Sequence, residues 1–166
     1  AWIHPLACQV AAARPNAAHT ALYDLEQMGL LRAVLTQNID GLHQRAGSKR
    51  VLELHGHARS ATCLKCSNSM PTETLWPHFL ETGDFPLCPT CKGPLKPDIV
   101  LYGEPLPREI LDAAREEALR CDLMLIVGSS LEVTPAADLP YLACRAGARL
   151  VIVNYSPTPA DDLAEI

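Results

Sequence analysis

Two Cys-x-x-Cys turns, Cys63/Cys66 and Cys88/Cys91, constrain this chain more than any other feature. Thiolates at i and i+3 grip one metal from a tight turn, and two such turns complete a tetrahedron. Twenty-one residues separate Cys66 from Cys88, just beyond the usual window for such ribbons. A redox dithiol or two chance pairs are the alternatives, and paired turns with Pro and Gly around the second favour the metal. Four cysteine ligands leave no open position for water, so the pattern predicts a structural Zn2+ held by Cys63, Cys66, Cys88 and Cys91. The surrounding span has little apolar periodicity and cannot build its own core, so the metal is expected to hold it together.

On either side the pattern changes. Asn16 after Pro15 caps a helical apolar repeat (Ala18, Ala21, Leu22, Leu25, Met28) that stops at Gly29. Ala33 to Thr36 and Val51 to His55 read as short strands, and Asp98 to Tyr102 is apolar again. Pro107 opens a helix running to about Cys121. Leu123 to Val127 is an unbroken apolar run, expected of a strand buried on both faces. A helix over Pro135 to Gly147 and a strand over Leu150 to Val153 close the series. This alternation predicts an α/β fold: a Rossmann-like parallel sheet with helices on both faces, plus a small four-cysteine zinc-binding module. The expected organisation is residues 1–58 as the first part of the dinucleotide-binding domain, 59–97 as the zinc module, and 98–166 as the second part.

Charge excludes one class of partner. With 14 Lys+Arg, a formal net charge of −5 and no basic block, the chain lacks what neutralises phosphates, so no nucleic-acid role is expected. The acidic balance reads first as solubility, and it also suits a lysine-bearing peptide. No apolar run is long enough to span a bilayer, so no membrane role is expected. Of seven cysteines, Cys8, Cys121 and Cys144 lie outside the knuckles and read as core thiols. This is not the framework of a small secreted protein, and a reducing, cytoplasmic setting is expected.

In open α/β sheets ligands bind outside the carboxyl ends of the strands. Gln37, Asn38 and Asp40, then His55, then Ser129 and Ser130, then Asn154 all fall at such ends. Singly, each has a plainer explanation: Asn and Asp cap helices, and Ser follows Gly in turns. Together their amides, hydroxyls and carboxylate suit ribose hydroxyls and a carboxamide. None of the nine glycines forms a Gly-x-Gly phosphate turn. Among six histidines, His55 is the best candidate for a general base, with His57 second.

The stretch Thr36-Gln37-Asn38-Ile39-Asp40-Gly41-Leu42-His43, then Glu53-Leu54-His55-Gly56, the two knuckles, Lys96 to Glu104, and Gly128-Ser129-Ser130-Leu131 closely resembles the sirtuin family. Pro15-Asn16 with His19, and Val153-Asn154 with Pro157-Thr158-Pro159, resemble it too. The resemblance implies an NAD-dependent protein lysine deacylase, a transferase with NAD as co-substrate and an acyl-lysine protein or peptide as partner. In that family the acyl oxygen attacks the nicotinamide ribose and expels nicotinamide. A histidine at the position of His55 then acts as general base through the ribose hydroxyls, and water releases lysine and O-acyl-ADP-ribose.

By the same resemblance Gln37 and Asn38 lie around the nicotinamide ribose, with Asn38 beside the reacting centre, and Ile39 and Asp40 line the nicotinamide pocket. Gly128, Ser129 and Ser130 follow the adenosine side, with Asn154 and Tyr155 near its ribose. Ile99, Val100, Leu101 and Tyr102 pair with an extended substrate peptide. Leu101 and Tyr102 depart from the aromatic pair often found there. The family's first strand and its Gly-Ala-Gly phosphate turn have no counterpart in the sequence, so weak NAD binding, low activity and an exposed sheet edge are expected of this span. Two other readings remain open at this point: an NAD(P)-dependent oxidoreductase with a structural zinc, and a non-catalytic zinc-ribbon binding module. ADP-ribosyl transfer is a third, within the resemblance.

Overall fold

The computed structural model describes residues 3–165. The chain divides into two compact units, residues 1–106 and 107–166. In the first unit, α1 (Ile3–Ala12) and α2 (Ala17–Gln27) precede β1 (Val34–Thr36), α3 (Leu42–Ala46) and β2 (Val51–Glu53). The Asn16 side chain accepts from the amides of Ala18 and His19, and the His19 ring completes the capping box, so α2 starts where the sequence predicts. β1 and β2 are parallel, with Thr36 opposite Glu53. In-register parallel pairing puts the residues after each strand, Gln37-Asn38 and Leu54-His55, at neighbouring carboxyl ends.

Then β3 (Gly56–Cys63), β4 (Ser69–Pro71), α4 (Trp76–Thr82) and β5 (Leu95–Ile99) build a different object. It is an antiparallel sheet in the order β4-β3-β5. Its buried core is Ala61, Cys63, Cys88 and Leu95, so half of the buried set consists of thiols from the two knuckles. A core this small stays folded only with a staple. Beside it, His4 of α1 meets Phe79 of α4 edge to face at 5.4 Å, and its Nε2 lies 3.0 Å from the Leu80 carbonyl. The apolar stretch expected over 98–102 is divided: β5 takes Leu95–Ile99 into the zinc sheet, and the residues after it form a turn. Pairing with β3, a contact far away in sequence, decides this boundary.

The second unit contains α5 (Arg108–Arg120), β6 (Leu123–Val127), α6 (Leu139–Arg145) and β7 (Arg149–Val153). β6 and β7 are parallel from Leu123↔Arg149 to Val127↔Val153. Ile126, Leu131, Ala137, Leu150 and Ala160 form the core. The run in β6 is not buried on both faces as its composition suggests: Ile126 is buried, while Leu123 and Val127 are exposed. Among the described residues β6 pairs with β7 alone, and an edge strand has cover on one side only. Cys8, Cys121 and Cys144 are half-buried rather than fully buried thiols, and of these Cys144 packs against the core of the second unit.

The joint between the parallel strands and the zinc sheet is Gly56. Its φ is +70°, and a Cβ there would sit 2.2 Å from the Asp98 carbonyl oxygen. Only a residue without a side chain permits both the left-handed turn and that approach. Gly56→Ala is expected to cost more than about 2 kcal/mol of stability, read as a lowered urea midpoint. A midpoint equal to wild type would show that β5 does not press on this turn.

Candidate functional site

His55 lies at the meeting of two strand ends. Its ring Nδ1 is 3.0 Å from the Gln37 carbonyl, and its own carbonyl accepts the Val100 N–H at 2.9 Å. A carbonyl can only accept, so Nδ1 carries the proton, and in the neutral ring the lone pair is then on Nε2. The ring is half-buried, and the Nδ1 contact holds its orientation. The backbone fixes both ends of the residue: the Leu54 N–H donates to Thr36 O at 2.9 Å, and the Ala58 N–H to Ile39 O at 3.3 Å.

The turn after β1 is built by its own side chains. The Asn38 N–H donates to Thr36 Oγ1 at 3.1 Å, which leaves the Asn38 side chain exposed. Asp40 Oδ1 accepts the Leu42 N–H at 2.9 Å, closing a side-chain turn over Gly41, the N-cap of α3. His43 packs on His19 with ring centroids 4.7 Å apart. Burial, and then the His19 charge, lower the His43 pKa against the opposing pull of Asp40. Gln37, Asn38, Ile39, Asp40 and His55 are thus brought together in the first unit. So is the 99–102 segment, through the Val100–His55 hydrogen bond. His57, the second choice for a base, has its Nδ1 buried without a partner among the described residues and offers no oriented pair like that of His55.

Sequence reading missed a further tie. Arg59 of β3 forks onto Glu53 of β2 at 2.7 and 2.5 Å. Burial alone would raise the Glu53 carboxyl, but the guanidinium outweighs it and the net shift is downward. A Cβ on Gly41, at φ +68°, would lie 3.3 Å from Arg59 Nη1. The glycine in the turn therefore also leaves room for the cation. Nothing local signals this pair, because Glu53 and Arg59 sit on different sheets.

In the second unit the in-register pairing of β6 and β7 sets Gly128-Ser129-Ser130 beside Asn154-Tyr155. The Gly128 N–H donates to Val153 O at 2.9 Å, and Ser129 Oγ accepts the Leu131 N–H at 3.4 Å. The Asn154 amide donates to Ser156 O at 2.7 Å. Ser130 and Tyr155 are exposed.

The four knuckle sulfurs all lie within 4.8 Å of one another, with Cys63–Cys91 at 3.5 Å and Cys66–Cys88 at 3.8 Å. A tetrahedron with Zn–S bonds of about 2.3 Å has edges of about 3.8 Å, so the sulfur set fits zinc. A Cβ on Gly93 would lie 3.0 Å from Cys63 Sγ and 3.2 Å from Cys91 Sγ, and the glycine keeps that cradle open. The Cys91 and Thr90 amides help bring the Cys88 thiol down to about 6. Cys91, although the Gly93 amide pulls it down, is pushed up to about 12 with Cys66 and burial among the causes. Four thiolates at this spacing repel one another, and a divalent cation among them removes the conflict.

The comparisons with known proteins agree with this geometry. A family model described as the Sir2 family matches residues 2–135. The chain belongs to the Sir2 family. It is 51% identical over 158 residues to "NAD-dependent protein deacylase 2" of Archaeoglobus fulgidus, covering 93% of this chain and 61% of that protein. It is 48% identical to "NAD-dependent protein deacetylase" of Thermotoga maritima, covering 93% and 62%. A solved structure described as "Sir2-p53 peptide-NAD+" superposes with a TM-score of 0.88 at 47% identity, over 94% of this chain and 65% of that one. The chain thus spans about three fifths of the length of these curated relatives. The Rossmann-like Sir2 fold, with its parallel strands, helices and four-cysteine cluster, is the fold of this chain.

Stripping the metal is expected to melt the β4-β3-β5 sheet, because binding energy at such sites is folding energy. Purified chain should contain one zinc by elemental analysis, and a strong chelator should expose residues 56–99 to proteolysis. A metal-free chain with that span protected would contradict a structural zinc.

Proposed function

We propose that this chain carries the base, the ribose-facing strand ends and the peptide strip of an NAD-dependent protein lysine deacylase. The supporting observation is the fixed Nδ1–H···O=C bond of His55 to Gln37, which leaves Nε2 as the acceptor. NAD supplies the electrophilic ribose carbon and the leaving nicotinamide. His55 takes a proton at Nε2 from a ribose hydroxyl, and that hydroxyl becomes the nucleophile that accepts the acyl group. The reaction is an acyl transfer from lysine to ADP-ribose, hence a transferase. Asn38, exposed at the end of β1, is assigned to the ribose with Gln37. Ile39 and Asp40 are assigned to the nicotinamide. Gly128, Ser129, Ser130, Asn154 and Tyr155 are assigned to the adenosine side.

Relatives support the substrate class. Solved Sir2 structures carry an acetylated peptide and a propionylated peptide, and Ile99, Val100, Leu101 and Tyr102 are assigned to such a strand here. The zinc is assigned to scaffolding, since a closed four-sulfur site has no position for a reacting water. Dinucleotide binding is assigned to residues 1–58 and 98–166, with 59–97 as the metal-held module. Free cysteines throughout support a reducing, cytoplasmic setting. No described helix is long and apolar enough to cross a membrane. Because the sequence holds no Gly-x-Gly turn, this span is assigned weak NAD affinity.

The test is incubation with NAD and acetyl-lysine or succinyl-lysine peptides, followed by mass analysis for nicotinamide and O-acyl-ADP-ribose. NAD-dependent loss of the acyl group is expected, and His55→Ala should lower it by about 10²–10⁴ while the thermal midpoint stays near wild type. Equal turnover by His55→Ala would refute its role. Reduced nicotinamide absorbance instead would mark an oxidoreductase.

A further inference from the structure

The 99–104 turn is tied internally in a way that the deacylase reading does not require. Lys96 Nζ donates to the Ile99 carbonyl at 2.9 Å and to Glu104 Oε2 at 2.8 Å. The same Glu104 oxygen accepts the Leu101 N–H at 3.0 Å, and the Glu104 N–H donates to the Leu101 carbonyl at 2.9 Å. One carboxylate and one ammonium thus occupy the Ile99 C=O and the Leu101 N–H. The Val100 N–H is taken by the His55 carbonyl. Among the described residues, the Val100 C=O and the Tyr102 N–H have no main-chain partner.

An added strand reads an edge by its free N–H and C=O groups. A slip of one residue moves every side chain of that strand to the other face, which would carry an acyl-lysine away from His55. We propose that Lys96 and Glu104 are positioning residues that fix the register of an acyl-lysine peptide on the 99–102 segment, by occupying the main-chain groups that a slipped strand would use. This rests on the deacylase reading above. The pair is half-exposed, with side-chain exposures of 26% and 41%, and as a bare surface ion pair it would contribute little. What distinguishes it is the third partner, the Leu101 N–H. The ammonium, together with that amide, holds the Glu104 carboxyl below its usual range.

Binding of a fluorescein-labelled acetyl-lysine peptide to the chain, followed by anisotropy, tests this. Glu104→Leu, which has no acceptor, is expected to raise the peptide Kd about five- to tenfold, the scale of one hydrogen bond lost, and to speed deuterium exchange at the Leu101 amide. Its thermal midpoint should stay at the wild-type value, and Lys96→Arg, which keeps charge and donors, should bind as wild type does. The swapped pair Lys96→Glu/Glu104→Lys separates register from simple charge pairing. A lysine side chain in place of Glu104 cannot accept the Leu101 N–H, so the swap should restore the ion pair without restoring affinity. A swap that rescues binding, or Glu104→Leu binding equal to wild type, would overturn the register role while leaving the deacylase reading intact. A wild-type chain that binds no acyl-lysine peptide would overturn both.

Discussion

The hydrogen bond from His55 Nδ1–H to the Gln37 carbonyl is the contact on which the functional half of this structure depends. It decides which ring nitrogen is basic, and it can form only because β1 and β2 end side by side in parallel register. The same residue gives its carbonyl to Val100, so the position of His55 and the position of the 99–102 segment are one constraint. Gly56 makes this possible by letting the chain turn directly after His55 against the Asp98 carbonyl. A side chain there would push Asp98 and the 99–102 segment away from His55.

The zinc module acts through the same joint. Its sheet contributes β5, and β5 leads directly into the 99–104 turn. Two of the four residues at the heart of that sheet are thiols of the metal set. The metal therefore holds β3 against β5 in place of a larger apolar core. Ser60 and Thr62 of β3 both donate to the Asp98 carboxylate, one residue before the 99–102 segment begins. A four-sulfur site with no open position can thus govern where the 99–102 segment lies, through rigid backbone rather than through chemistry.

Much of this was legible in the sequence because the signals are local. A Cys-x-x-Cys turn, an Asn N-cap after Pro15 and a helix opening after Pro107 each depend on a few neighbouring residues, and each falls where the pattern places it. The ends of β1, β6 and β7 were legible for the same reason, whereas β2 stops at Glu53, short of the His55 end expected, because the chain turns there into β3. What was not legible depends on partners far along the chain. The split of 98–102 into strand and turn comes from pairing with β3, and the exposure of Leu123 and Val127 comes from β6 having one neighbour among the described residues. The Arg59–Glu53 fork and the Lys96–Glu104 clip join residues that no periodicity relates. The role of His55 is a stronger inference from geometry than from composition, since a histidine after a strand is common and one with a fixed tautomer is not.

The most direct measurement is the tautomeric state of His55 in the folded chain, read from its imidazole nitrogen resonances in ¹⁵N-labelled protein at neutral pH. A proton on Nδ1 with an unprotonated Nε2 is the expected result, and it should persist when zinc is bound. A proton on Nε2, or rapid averaging of the two forms, would show that Gln37 does not hold the ring, and the base would have to be sought elsewhere.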